Sequence, residues 1–333
     1  MYKTFILAIH GYMKTGIIIL NYNNYEDTIN CIESVEKFNT SPVKLIVVDN
    51  GSKRQGVVDK LNEFFQNRYG KRYQAVKEYI DVVPYTLNYL TFLISATNDG
   101  YARGNNKGLD LAYRDSEIDK IMILNNDILF VEDIIPKLID TMEELPNCAI
   151  ISPILYKKDL IEIDYTCARR NIQTGSIIKE NFFHYWYELN KEKYAKRKSY
   201  YFLLNDSQKS KSTVMPIELP SGSCMLIKKN LFQEIGSFDP GTFLYYEENI
   251  LFKKIEKRGL QNYLCTHLKC IHLGGISIST TGNIFMMKCL VKSRIYYMKN
   301  YSGCSWATYL LFRLSTYFFL SCFYLKQKLT KKK

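Results

Sequence analysis

Three stretches of this chain place carboxylates where an apolar run stops. Asn125-Asn126-Asp127 follows the run Ile121–Leu124, and apolar residues resume at Ile128. A short buried strand that ends this way presents its carboxylate at the strand's C-terminal edge, where open α/β sheets bind ligands. A hard cation such as Mg²⁺ is held by one or two carboxylates plus substrate phosphates and water. Asp127 suits that role, with Asn125 or Asn126 assisting through an amide oxygen or a water. The triplet also suits a plain turn. Asp49-Asn50-Gly51-Ser52 repeats the arrangement after Val43–Val48. A carboxylate there can accept from a base N–H or from ribose hydroxyls, or simply shape a turn. Glu247-Glu248 opens a helical segment. Acids are favoured in a first helical turn by the macrodipole, and one of them can equally act as a general base toward a hydroxyl acceptor. His272, in Cys270-Ile-His-Leu-Gly-Gly, can serve a metal or a diphosphate, or pack structurally.

These groups need elements to bring them together. Gly16–Leu20 and Val43–Asp49 are β-branched runs expected of strands buried on both faces. Between them Glu26–Phe38 has helical spacing, so strand, helix and strand form a βαβ unit and imply a parallel sheet. Residues 56–89 read as helical in outline, broken at Pro84, and Leu90–Ser95 reads as a strand. The segment Asn98–Gly108 reads as a glycine-containing loop that lets backbone approach a ligand and feeds a helix at 106–114. Strands are expected at Asp119–Leu124 and Cys148–Ser152, with a helix between them at Glu132–Leu145. Residues 155–215 lose the rhythm and read as loops and edge strands, an insertion on the acceptor side. Glu218–Ile227 reads as a strand passing close to a ligand. Short helices follow at Asn230–Ile235 and from Glu247 to Lys257, then a strand within 262–271.

The 333 residues carry a formal net charge of +12. No Arg-rich helix or interleaved stacking motif accompanies that charge, which argues against a nucleic-acid partner. The nine cysteines include no CxxC pair, so zinc and disulfide frameworks are not expected, and reduced thiols in the cytoplasm fit. No GxGxxG follows the first strand, which removes the dinucleotide reading. Residues 1–15 read as a leader too short and interrupted for a signal peptide.

Taken in order, the motifs at 19–23, 47–52, 98–108, 124–127, 221–227 and 246–251, followed by His272, resemble the family 2 glycosyltransferases. The resemblance is to the rhamnosyltransferase-like branch that builds bacterial surface polysaccharide, and it covers roughly residues 16–300. It implies a GT-A fold, which is Rossmann-like with a mostly parallel sheet flanked by helices. It also implies inverting transfer from a nucleotide sugar, dTDP-rhamnose or a UDP-sugar, to a saccharide hydroxyl. Mg²⁺ or Mn²⁺ would be held by Asp127 with Asn125. Asn21, Asn23, Asp49, Asn98, Gly100, Arg103, Asn106, Asn126 and His272 fall on the nucleotide and donor side. Ser221, Gly222 and Tyr246 fall on the acceptor side. Glu248 is the implied base, with Glu247 beside it. The chain departs from the family pattern at Asn125, which replaces the first metal-binding acid, and at Glu248, where Asp is usual. It departs also at Ile250, where a further Asp is common, and at Arg103.

The expected organisation is a leader at 1–15, a catalytic domain at 16–275 and a helical extension at 276–333. Trp306–Leu325 is long and apolar but contains Arg313, so an in-plane helix on the inner face of the cell membrane suits it better than a span. A lipid-linked acceptor and a homodimer belong to this reading. A non-catalytic alternative is a sugar-nucleotide-binding subunit of a polysaccharide synthase complex.

Overall fold

The computed structural model describes residues 13–81, 85–190, 192, 201–204, 212–274 and 283–330. Most of the leader, Pro84, the boundary at 275/276 and the final lysines lie outside them. The first βαβ unit forms as the apolar runs require: β1 Lys14–Asn21, α1 Tyr25–Phe38 and β2 Val43–Asp49. The first strand therefore begins inside the expected leader. Then come α2 Val57–Tyr69, β3 Tyr73–Lys77, β4 Leu90–Ile94, α3 Gly100–Arg114, β5 Ile118–Asn125, β6 Ile128–Phe130, α4 Ile135–Glu144 and β7 Cys148–Tyr156. The second half holds β8 Ala168–Arg169, α5 Thr174–Leu189, β9 Val214–Ile217, β10 Leu219–Pro220, β11 Cys224–Lys228, α6 Lys229–Glu234, α7 Glu247–Glu256 and β12 Gln261–His272. Two helices follow, α8 Asn283–Asn300 and α9 Trp306–Thr330.

The main sheet runs β3-β4-β2-β1-β5-β11-β7-β12-β6, with β9 also on β12. The first five strands of that order are parallel. Its other half is mixed, because β11 runs antiparallel between β5 and β7. Successive side chains of a strand point to opposite faces. Ile17, Ile19, Leu45 and Val47 accordingly join α1, α2 and α4 in one core, while Ile18, Ile46 and Val48 join α3, α6 and α7 in the other.

Three expectations change. Asn98–Gly108 is mostly helix, since α3 starts at Gly100. A Cβ at Gly108 would meet Ile18 at 2.7 Å and one at Gly104 would meet Leu20 at 2.7 Å. These glycines let α3 lie close on β1 rather than admit a ligand. Residues 73–77, read as helical, form an edge strand. The segment read as loops contains α5. Its Ile177 and Ile178 pack with Ile250, Tyr297 and Phe312 in a third cluster that fastens α8 and α9 to the domain. Burying each such side chain contributes roughly 1.5–3 kcal/mol.

Candidate active site

Strand register decides which groups meet. Asn21 lies level with Asp49, and Leu20 with Asn125, so β1, β2 and β5 end at one edge. The antiparallel β11 brings Ser221–Ser223 to that edge, where the Ser223 carbonyl accepts from Asn125 N–H at 2.8 Å. His272, the last residue of β12, pairs with Ile128 beside Asp127. Tyr245 and Tyr246 both have left-handed backbones, φ 73 and 71°. Such strain costs about 1–3 kcal/mol per residue and is tolerated where packing over-determines it. Here it turns the chain so that the first residues of α7, Glu247 and Glu248, enter the same rim.

Two cavities lie along this edge and share Tyr101, Asn125, Leu244 and Tyr245 as a common wall. The smaller, about 270 Å³, is lined by Tyr22, Asn50, Asn98, Gly100, Asn126, Phe243, Phe285 and Met286. The larger, about 510 Å³, is lined by Ser221, Gly222, Tyr246, Glu247, Glu248, His272, Arg169 and Arg294 among others. A cavity of about 660 Å³ opens at the opposite edge of the sheet beside Lys14, Lys44 and Glu117. It sits at the N-terminal strand ends, away from Asp49, Asp127 and Glu248.

Asp127 is 7% exposed, and its Oδ1 has no hydrogen-bond partner among the described residues. Its Oδ2 lies 3.4 Å from His272 Nε2, and His272 Nδ1 lies 2.7 Å from Asp164 Oδ2. Burial pulls the His272 pKa down, but the two carboxylates outweigh it and raise the ring to about 10. Burial likewise pushes Asp164 up, and His272 with the Thr166 hydroxyl and N–H brings it down to about 2. Asp164 was not singled out from the sequence. It lies in the irregular segment, and only its contact with His272 marks it.

Among the described residues no group of three or more His, Cys, Asp or Glu is arranged to hold a metal ion. The residues present still fit one. Asp127 Oδ1 is a buried acceptor without a partner among the described residues, His272 beside it would become a second ligand once a metal displaced its proton, and substrate phosphates and water complete shells of this kind. Asn125 donates from Nδ2 to Ser223 Oγ at 3.3 Å and lines both cavities, so its amide also stands at the rim.

The two glutamates differ. The Glu248 carboxylate pairs with Arg169 at 3.2 Å and accepts from Gly222 N–H at 3.1 Å. Its side chain is 19% exposed, toward the larger cavity. Glu247 is 5% exposed and its Oε1 has no partner. Burial, then the neighbouring Glu248 charge, pushes its pKa up to about 8. Burial thus favours the neutral form of Glu247, whereas the Glu248 carboxylate faces the larger cavity.

Other expected site residues make contacts within the scaffold, some of them while lining the smaller cavity. Asp49 is 1% exposed, with its oxygens taken by Asn21 Nδ2, the Ser52 hydroxyl and Ser52 N–H. It lines neither rim cavity; its neighbour Asn50 does. Asn21 also accepts from the Thr28 hydroxyl. Asn23 accepts from the N–H groups of Lys53 and Arg54, shaping that loop. Asn126 lines the smaller cavity while donating to Asn24 O and Thr28 Oγ1. Arg103 donates to Pro240 O, and Asn106 clamps the backbone of Phe238, so both tie α3 to the loop before α7. Asn98 accepts from Gly100 N–H and Asn50 Nδ2. Gly100 has φ +81°, and a Cβ there would meet Phe243 O at 2.2 Å.

Comparison with known proteins agrees with this geometry. The model for "Glycosyl transferase family 2" matches residues 16–236. A curated relative, the low-salt glycan biosynthesis hexosyltransferase Agl10 of Haloferax volcanii, is 22% identical over 257 residues, covering 77% of this chain and 66% of its own. The chain thus spans just under two thirds of that relative's length. Among solved structures, GalNAc-T7 with UDP, GalNAc and Mn²⁺ superposes with a TM-score of 0.53 at 13% identity, over 78% of this chain and 44% of that one. That likeness speaks for the GT-A type of fold. The match to residues 16–236, which include Asp49 and Asp127, establishes that the chain belongs to glycosyl transferase family 2.

Proposed function

We propose that this chain transfers a sugar from a nucleotide-sugar donor to a saccharide hydroxyl with inversion at the anomeric carbon. The observation that carries the reading is the position of Glu248. It is a paired, solvent-facing carboxylate in the larger cavity, across a shared wall from a second cavity sized for a nucleoside. In this reading the nucleoside occupies the smaller cavity, between the Asn50–Asn98 amides and the Phe243–Phe285 rings. The donor diphosphate lies toward Asn125, Asp127 and His272. A divalent cation, Mg²⁺ or Mn²⁺, would be held by Asp127 with His272 or Asn125 and would offset charge developing on the leaving diphosphate. Glu248 takes the proton from the acceptor hydroxyl as that oxygen attacks from the face opposite the diphosphate. Arg169 and Gly222 N–H hold the Glu248 carboxylate in place during the attack.

The family resemblance favours dTDP-rhamnose or a UDP-hexose as donor and a lipid-linked saccharide of a cell-surface polysaccharide as acceptor. No helix among the described residues is long and apolar enough to cross a membrane. The outer faces of α5 and α9 expose Phe183, Trp186, Leu314, Tyr317 and Phe318, and Lys326 and Lys328 lie near the end of α9. Apolar rings with flanking lysines suit peripheral attachment to an anionic membrane surface, consistent with the cytoplasmic face. A homodimer across the same face is the competing use of those rings. The replacement of the first metal-binding acid by Asn125 favours a second reading, a sugar-nucleotide binder within a synthase complex. Incubation with a panel of nucleotide sugars, Mn²⁺ and saccharide acceptors separates the two. Release of nucleoside diphosphate that depends on Glu248 supports transfer; binding of donor without release from any pair supports the binder.

A further inference from the structure

The larger cavity contains a cation that the transfer reading does not use. Arg294 projects into it from α8, outside the residues that match the family model. Its Nε donates to Tyr246 Oη at 2.9 Å and one terminal nitrogen donates to Asn181 Oδ1 at 3.2 Å. Both acceptors are neutral. Among the described residues no carboxylate lies within salt-bridge distance of it, and Glu180 acts on it only through longer-range charge. Arg169, in the same cavity, is neutralised by Glu248. Glu247 is a poor source of the missing charge, because burial favours its neutral form.

Arg294 is partly buried; an arginine so placed without an opposite charge carries a desolvation cost that is offset when an anion completes it. The guanidinium presents five donors in a planar fork that matches phosphate or carboxylate in bidentate fashion. Two of its three nitrogens are committed to the neutral anchors, which fix the fork's orientation at the cavity wall. Arg294 lines the larger cavity and not the one walled by Tyr22, Asn50 and Asn98. Its anion therefore does not sit in the nucleoside cavity, and a donor side filled with nucleoside diphosphate separates it from the donor's own phosphates.

We propose that Arg294 forms an anion subsite on the acceptor side, and that the acceptor bears a phosphate or carboxylate which docks there. The proposal rests on the sugar-transfer reading for the word acceptor; the anion subsite itself stands on the cavity.

The test uses the full chain saturated with UDP and Mn²⁺, so that the donor side is filled. Two matched pairs are titrated by calorimetry: glucose 1-phosphate against methyl glucoside, and farnesyl phosphate against farnesol. The anionic member of at least one pair should bind about tenfold tighter or more, the usual scale for a hydrogen bond to a charged group. The sugar pair showing the preference locates the charge on a saccharide, and the prenyl pair locates it on a lipid carrier. R294Q, which keeps amide donors for the anchors, should erase the preference, and R294K should retain part of it. Equal binding of neutral and anionic members in both pairs overturns the proposal, as does an anion preference that survives in R294Q. If UDP and dTDP, each with Mn²⁺, both fail to bind, the transfer reading falls, and the same pairs titrated without nucleotide still decide the subsite.

Discussion

Two strand-end carboxylates, Asp49 and Asp127, occupy equivalent positions in the chain and end in opposite conditions. At Asp49 the first βαβ unit closes on itself. Asn21, Ser52 and the Ser52 N–H satisfy both oxygens, and the group is sealed from the rim. At Asp127 one oxygen has no partner among the described residues and the other faces the His272 ring. A buried polar atom without a partner costs free energy, and a ligand that supplies the missing contact removes that cost. The satisfied corner holds the rim in register, and the unsatisfied corner is where a ligand completes the structure.

The sharpest way to test that division is in the open region. Glu248→Gln should lower transfer by about 10²–10⁴-fold, the usual range for a general base, with nucleotide binding retained in a thermal-shift assay. A variant with near-normal turnover would refute the assignment. Asp127→Asn should remove the Mn²⁺-dependent part of nucleotide binding, read as lost metal-dependent Tm elevation. Equal donor affinity with and without metal in the unaltered protein would count against Asp127 as a ligand. Asp164→Asn leaves the His272 ring without its charged anchor. Outer-shell partners of this type are worth about 10–100-fold in metal affinity, measurable by titrating Mn²⁺ with electron paramagnetic resonance. No change would return Asp164 to a purely structural role.

The closed region predicts the converse. Asp49→Asn should cost about 1–3 kcal/mol of stability, with donor affinity of the surviving folded protein little altered. Loss of nucleotide binding at unchanged stability would show that Asp49 reaches the ligand and would break the comparison. A change of pH probes the buried end of the rim separately. Burial and Glu248 raise the Glu247 pKa in the folded state to about 8 from its ordinary 4.5. The folded state holds that proton more tightly, so the contribution is full below pH 4.5 and is lost as pH rises through 8. Tm should fall across that window, and Glu247→Gln should flatten the fall.

Much of the framework was legible before any coordinates. Ile17–Leu20, Val43–Val48 and Ile121–Leu124 are β-branched or aliphatic runs too short for most helices, and each became a central strand. Elements with weaker signals were misread. β3 is a brief edge strand whose Tyr73 and Val76 are buried while Lys77 is exposed, and nothing in five residues separates it from a helix end. α5 is apolar on several sides because α9 packs against it while Phe183 and Trp186 stay exposed. It therefore lacks the single polar face by which a surface helix is recognised. The glycines of 98–108 suggested a ligand loop, but they are spaced to let a helix approach β1.

The chain's local chemistry determined which acids stand at strand ends, because apolar runs and polar turns are written residue by residue. Which of those acids is left wanting a partner depended on groups far away in the chain. Asp164 meets His272 across 108 residues, and Arg169 meets Glu248 from a segment with no readable pattern. Such contacts arise from strand register and from helices folding back over the sheet. They carry no local periodicity, so only the assembled tertiary structure decides them.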